Sequence, residues 1–173
     1  GNTQGQISDT SSFEHTLDDA SEILWIVPMS NLLIGTVGGE WRMYGRNGLL
    51  TATDAVALRQ SNYGCSRINP VVVGQAVMGA GSRERLLRAY KWDYANDAYG
   101  GKDVSHCADH LFARRSIGEL AYQYEPKALV WVVMSDGALL SCTYMNEEEV
   151  LGWSRHDTDG RFETVATMVS EDA

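Results

Sequence analysis

Leu129-Val-Trp-Val-Val-Met134, Ser135-Asp-Gly137 and Ala138-Leu-Leu-Ser-Cys-Thr-Tyr144 form the stretch that decides the fold. The first run is apolar, rich in β-branched residues and of strand rather than helix length. Asp136-Gly137 between two apolar runs predicts a two-residue type I′ hairpin, with both residues at positive φ. The second run puts Leu139, Ser141 and Thr143 on one face and Leu140, Cys142 and Tyr144 on the other. Asn146 to Glu148 then predicts a turn, Val150 to His156 a third strand, and Asp159-Gly160 another tight turn. Phe162, Thr164, Ala166 and Met168 alternate with Arg161, Glu163, Val165 and Thr167, which predicts a fourth strand. Ala128 to Val169 therefore reads as a four-stranded antiparallel meander.

Upstream, the same logic predicts strands at Ile23–Val27, Asn31–Thr36 and Glu40–Tyr44, with turns at Gly38-Gly39 and Asn47-Gly48. Leu49 to Tyr63 reads mostly as loop, with a short strand near Val56 to Arg59. A middle unit follows: Pro70–Val73, Gln75–Met78, a Gly79–Ser82 turn, and a strand from Arg83 to Trp92. Asp93 to Asp103 reads as a polar loop. His106 to Gln123 is compatible with a short helix or an irregular connection, through Leu111, Phe112, Ile117, Leu120 and Ala121. Trp25-Ile-Val with Leu33–Thr36 resembles Trp131-Val-Val with Leu139–Thr143, at a separation suiting two repeats of roughly 45 to 50 residues. The fold expected is all-β, with about three to four small antiparallel meander sheets over residues 22–173. Such meanders are the units of β-propeller blades, so the arrangement expected is a partial, propeller-like one. Residues 1–21 are polar and aperiodic, a lead-in arm that Phe13 and Leu17 could tether.

The chain has 173 residues, 44% hydrophobic and 21% charged, which is a globular composition with enough length for a core. No apolar run approaches the ~20 residues of a membrane-spanning helix. Gly1 to Gln6 lacks the basic and apolar regions of a signal peptide, and Gly1 without Met suggests a piece of a longer chain. Cys65, Cys107 and Cys142 have no CxxC spacing and read as free thiols of a reducing compartment. A net charge of -9 opposes a surface that grips nucleic acid. Arg83, Arg85, Arg88 and Lys91 approach a basic patch, but strand periodicity would split them between two faces.

His106-Cys107-Ala-Asp109-His110 is the cluster with metal-ligand character, since on a helix His106 and His110 would share one face. It lacks the glutamate of a metalloprotease motif and any second pair at zinc-finger spacing. The expectation is no metal and no cofactor, with these residues serving as loop and packing residues. Glu147-Glu148-Glu149, Asp157 and Asp159 could be read as glycosidase carboxylates, but they sit at turns where acids are common. Trp25, Trp41, Trp92, Trp131 and Trp153 could form a carbohydrate platform, yet all lie in expected strands, which favours packing. No GxSxG element, phosphate loop or Cys-His-Asn order is present, and no catalytic residue is assigned.

An ordered set of short motifs carries a family resemblance. These are Leu33-Ile-Gly-Thr36, Gly38-Gly-Glu-Trp41, Arg59-Gln-Ser-Asn-Tyr-Gly64, Asp109-His-Leu-Phe112 and Ala121-Tyr-Gln-Tyr-Glu-Pro126. Val130-Trp131, Asp136-Gly-Ala-Leu139, Thr143-Tyr144, Gly152-Trp-Ser-Arg-His156 and Thr158-Asp-Gly160 continue it. In this the chain resembles the tail nozzle, or tail tubular B-type, proteins of short-tailed bacteriophages, over about residues 22 to 169. Cys107 stands where a small apolar residue is expected. The resemblance implies a structural virion component assembled in the host cytoplasm and located in the tail. It implies a ring of copies, six in the full-length protein, below portal and adaptor proteins and bearing tail fibres. DNA would pass through without specific binding. A tail-associated glycan-binding module or glycoside hydrolase is the alternative.

Overall fold

The computed structural model describes residues 14–17, 21–145 and 150–168. Among these, twelve strands form three four-stranded sheets, each with its strands in chain order and paired antiparallel. The first sheet holds β1 (Ile23–Pro28), β2 (Leu32–Thr36), β3 (Glu40–Gly45) and β4 (Ala55–Ser61). The second holds β5 (Val71–Val73), β6 (Ala76–Ala80), β7 (Leu87–Asp93) and β8 (Ala98–Asp103). The third holds β9 (Ile117–Gln123), β10 (Leu129–Met134), β11 (Leu139–Met145) and β12 (Val150–His156). A 3₁₀ turn at His106–Ala108 and the four-residue helix α1 (Asp109–Phe112) link the second sheet to the third.

The sheets stack in layers, and the middle one is covered on both faces. Val77, Tyr90 and Tyr99 pack with Trp25, Val27 and Leu33 of the first sheet. Ala76, Met78, Ala80, Leu87 and Ala89 face the other way, against Leu120, Val130, Val132 and Leu140 of the third. This is why β6 is apolar throughout and buried at all five positions: neither face meets water. Fully burying a Leu, Val or Met side chain of this kind stabilises by about 1.5–3 kcal/mol. A smaller cluster of Ile34, Trp41 and Met43 lies on the outward face of the first sheet, where Leu17 covers it. Leu17 is buried in this cluster, and Phe13 lies outside the described residues.

Several expectations need correction. The fourth strand of the last sheet is β9, which precedes β10; residues 161–168 form no strand. Their alternation is not realised, because only Phe162 and Val165 are partly buried. Instead the segment is held beside β9 by Val165 N–H donating to Glu119 Oε2 (2.9 Å) and Thr167 Oγ1 donating to Tyr122 O (2.8 Å). The strand β9 hides in the sequence because the pairing register shifts between Val133 and Met134, opposite Glu119 and Ile117. That bulge at Gly118 puts Ile117 and Leu120 on one face at a three-residue spacing, which imitates a helix. The strand β8 reads as loop because it carries Gly100 and Gly101, residues depleted in strands. At Gly101 a Cβ would lie 2.9 Å from Arg88 Cδ and 3.1 Å from Tyr63 Cε2, so the close approach requires glycine.

The strand near Val56 is longer than expected, covering Ala55–Ser61, and β7 is shorter, since Arg83 to Leu86 belong to the preceding turn. At Asp136-Gly137, Gly137 N–H donates to Met134 O (2.8 Å) and Met134 N–H to Ala138 O (2.9 Å). Of the two residues only Gly137 has positive φ, 86°. The connection is a type I turn closed by a glycine bulge, not the type I′ pair. The two similar tryptophan hairpins also sit one strand out of step: β1 is an edge strand, and β10 is second in its sheet. The turn expected at Asn146 to Glu148 lies outside the described residues.

Candidate anion-binding pocket

His106, Cys107, Asp109 and His110 are all exposed. His106 sits in the 3₁₀ turn and His110 in the separate helix α1, with Ala108 at φ -130° between them. The backbone break denies the two histidines a common helical face, and they are solvent-facing rather than packing residues. Among the described residues, no group of three or more His, Cys, Asp or Glu side chains converges as a metal site would require. Asp157 and Asp159 are exposed, and Asp157 pairs with Arg155 (2.8 Å). Glu147, Glu148 and Glu149 lie outside the described residues.

Of the tryptophans, Trp25 and Trp41 are buried, while Trp92, Trp131 and Trp153 are half-buried. Trp131 donates to Gln123 Oε1 (3.0 Å) and Trp153 to Val104 O (2.9 Å), so both rings are fixed by bonds within the fold. Tyr94 stands edge-on to Trp92 at 86°, which is not the coplanar pair that stacks on sugar rings.

The chemistry that the sequence did not reveal is at the junction of the first two sheets. Thr36 and Gly39 close the β2–β3 turn reciprocally: Thr36 Oγ1 donates to Gly39 O (2.7 Å) and Gly39 N–H donates back to Oγ1 (3.1 Å). The register then slips between Glu40 and Trp41 against β4. The slip turns Glu40 inward, where it is fully buried. A carboxylate there needs donors, and it has three. Tyr90 donates its hydroxyl to Oε1 (2.6 Å), Cys65 its thiol to the same oxygen (3.2 Å), and Ser61 its hydroxyl to Oε2. Burial first, and then the neighbouring carboxylate, push the Cys65 thiol well above its ordinary pKa; burial, then Cys65 and then Glu40 push the Tyr90 hydroxyl up likewise. Both therefore stay protonated and donate. A thiol held this way is a poor nucleophile.

Above this cluster a pocket of about 190 Å³ opens to solvent. Its walls come from Tyr63 and Gly64 before the Cys65 bridge, from Gly81, Ser82, Arg83, Arg85 and Leu86 of the β6–β7 turn, and from Arg88 on β7. The turn is fixed by Gly81 N–H donating to Leu86 O (3.1 Å) and Glu84 N–H to Gly81 O (2.8 Å), with Glu84 at φ 59°. Gly64, at φ 76°, passes so close to Val37 that a Cβ would lie 2.3 Å from the carbonyl oxygen. Arg88 lies over Tyr63, its Cζ 3.7 Å from the ring centroid, and its Nη1 makes a long bond to Gly101 O (3.5 Å). Its Nε is shut off from solvent and has no partner. Among the described residues, none of Arg83, Arg85 and Arg88 is ion-paired. The expected division of this basic group between two faces is corrected: Arg83 and Arg85 lie outside the strand, and the turn returns them beside Arg88. Lys91 lines a different cleft. Nothing in the sequence marks Glu40 as buried, because its burial follows from a register slip.

No family model matches the chain, and no curated protein matches it in sequence.

Proposed function

We propose that this chain is a structural component of a short-tailed bacteriophage tail nozzle and acts by assembling with copies of itself rather than by catalysis. The observation that carries the reading is the outward face of the first sheet. Across its strands run two rows, Ile26–Ile34–Trp41–Arg59 and Pro28–Leu32–Met43–Ala57, set by the pairing register. Leu17 covers the middle of this face, but Ile26 remains 53% exposed at its β1 edge. An apolar sheet face is stable when another layer covers it, as the first and third sheets cover the second. Three meanders strung in chain order and packed face to face suit an incomplete propeller whose remaining layers come from the rest of the protein or from neighbouring copies. In the complete tail such copies would form a sixfold ring that contacts portal, adaptor and fibre proteins and conducts DNA without gripping it. The acidity of the chain, -9 overall, is consistent with a wall that DNA slides past.

The hydrolase alternative has less support. Glu119 and Glu163 line one open cleft of about 510 Å³. Bonds from Thr164 and from the Val165 amide hold Glu119 below the usual carboxylate range. A glycosidase acid needs its pKa moved the other way. The test of the assembly reading is sedimentation of the wild-type chain beside Ile26→Asp. Concentration-dependent association that the variant loses is expected. Equal behaviour of the two proteins would remove the first sheet from the interface and overturn the reading.

A further inference from the structure

We propose that the pocket formed by Arg83, Arg85 and Arg88 is a receptor for a carboxylate, presented by an acidic side chain of a partner protein. The first argument is charge. Four other arginines of the described chain are ion-paired: Arg42 with Asp97, Arg67 with Glu22, Arg115 with Asp136, and Arg155 with Asp157. The three around the pocket are not, although the protein carries 23 acidic residues against 14 basic ones. A concentrated, unneutralised positive site on an acidic protein is complementary to the acidic surfaces of such proteins, copies of this one included. The second argument is preorganisation. Arg88 is held in place by the Tyr63 ring and by a long bond from its Nη1 to Gly101 O. A guanidinium pre-oriented in this way loses little freedom when an oxyanion engages its fork.

Shape and surroundings choose the source of the anion. A volume of about 190 Å³ holds roughly six waters at ~30 Å³ each, the size of one side-chain end. Leu86 and Tyr63 supply apolar walls against which the methylenes of a glutamate could pack. Duplex DNA presents phosphates along a convex rod and binds to extended basic stripes, each contact releasing counterions. Among the described residues no stripe continues the pocket, since Lys91 and Lys102 line another cleft and Arg67 is engaged by Glu22. A polyanion would also feel the full negative field of the chain, whereas a single side chain buried among three guanidinium groups would feel chiefly those groups.

The test is a fluorescence-anisotropy titration of labelled hexaglutamate against the intact chain at about 20 mM salt, with citrate and a short DNA duplex as competitors. Saturable peptide binding is expected, weakened at least tenfold in an Arg83→Gln, Arg85→Gln double variant and in Arg88→Gln. Arg155→Gln, which removes a cation paired with Asp157, should bind as the wild type does. Because Arg83 and Arg85 are exposed, the double variant keeps its fold, to be verified by an unchanged Tm, even if Arg88→Gln does not. No saturable binding, or equal affinity in the double variant, would overturn the proposal. Tighter pocket-dependent binding of the duplex would make the ligand a phosphate, and tighter binding of citrate would make it a free small carboxylate; either contradicts a protein side chain.

Discussion

Gly35→Ala is the substitution that tests the junction of the first two sheets most sharply. Gly35 pairs directly with Trp25 across β1 and β2, and the indole lies over the glycine in the gap where a side chain would stand. A Cβ at Gly35 would fall 2.1 Å from Trp25 Cε2 and 2.3 Å from Cζ2, far inside van der Waals contact. The ring cannot simply swing away. It is 6% exposed, tilted against Tyr90 at 6.3 Å, and packed among Val27, Leu33 and Val77. One methyl therefore either overpacks this core, at ~1–3 kcal/mol, or expels the indole, whose full loss costs ~3–5 kcal/mol. A loss of about 3 kcal/mol is expected, equivalent to a fall in Tm of about 6–12 °C for a chain of this size. Urea unfolding followed by tryptophan fluorescence measures it. In a Trp25→Leu background the same Gly35→Ala change should cost under ~1 kcal/mol, because the clash is gone. A single-variant loss below ~0.5 kcal/mol, or additive effects of the two changes, would refute the packing argument.

Gly137→Val should destabilise by ~1–3 kcal/mol, because it forces a β-branched residue to a φ of 86° and its Cβ to within 2.6 Å of Arg161 Cβ; unchanged thermal unfolding would refute this. With a thiol reagent at pH 8 the native chain should show one fast cysteine, Cys107, which is exposed. Cys65 and Cys142 are buried, the latter pushed up to about 12 by burial, and should react only on unfolding; three fast thiols would contradict the core. The tether from Glu119 to the 161–168 segment should be pH-dependent. Its pKa is lowered from 4.5 by the bonds from Thr164 and Val165, so the carboxylate's contribution is complete above 4.5 and is lost as pH falls through the lower folded value. Hydrogen exchange at the Val165 amide should report that loss, and Glu119→Gln should reproduce it at neutral pH; protection that is unchanged in acid would break the argument.

What was legible in the sequence was pattern that a strand keeps locally. Leu129–Met134, Leu139–Met145 and Val150–His156 show themselves by apolar runs and turn residues, and so do the first three strands. The misreadings share one physical origin, which is that non-local geometry overrides local periodicity. A bulge at Gly118 gave Ile117 and Leu120 a helical spacing, and glycines admitted by Arg88 and Tyr63 made β8 resemble a loop. Residues 161–168 alternate as a strand should, yet they are held beside β9 by side-chain hydrogen bonds at Glu119 and Thr167 instead of a ladder. The candidate pocket was half visible. Arg83, Arg85 and Arg88 stand close in sequence, but that they share one cavity depends on the turn at Glu84 and on Gly64 arriving from another sheet.

Native mass spectrometry of the purified chain tests self-assembly most directly, because it counts copies without assuming which face joins them. The account predicts particles whose mass is a whole-number multiple of the 19.1 kDa subunit, with one copy number dominant at high concentration. A monomer at every concentration would contradict it.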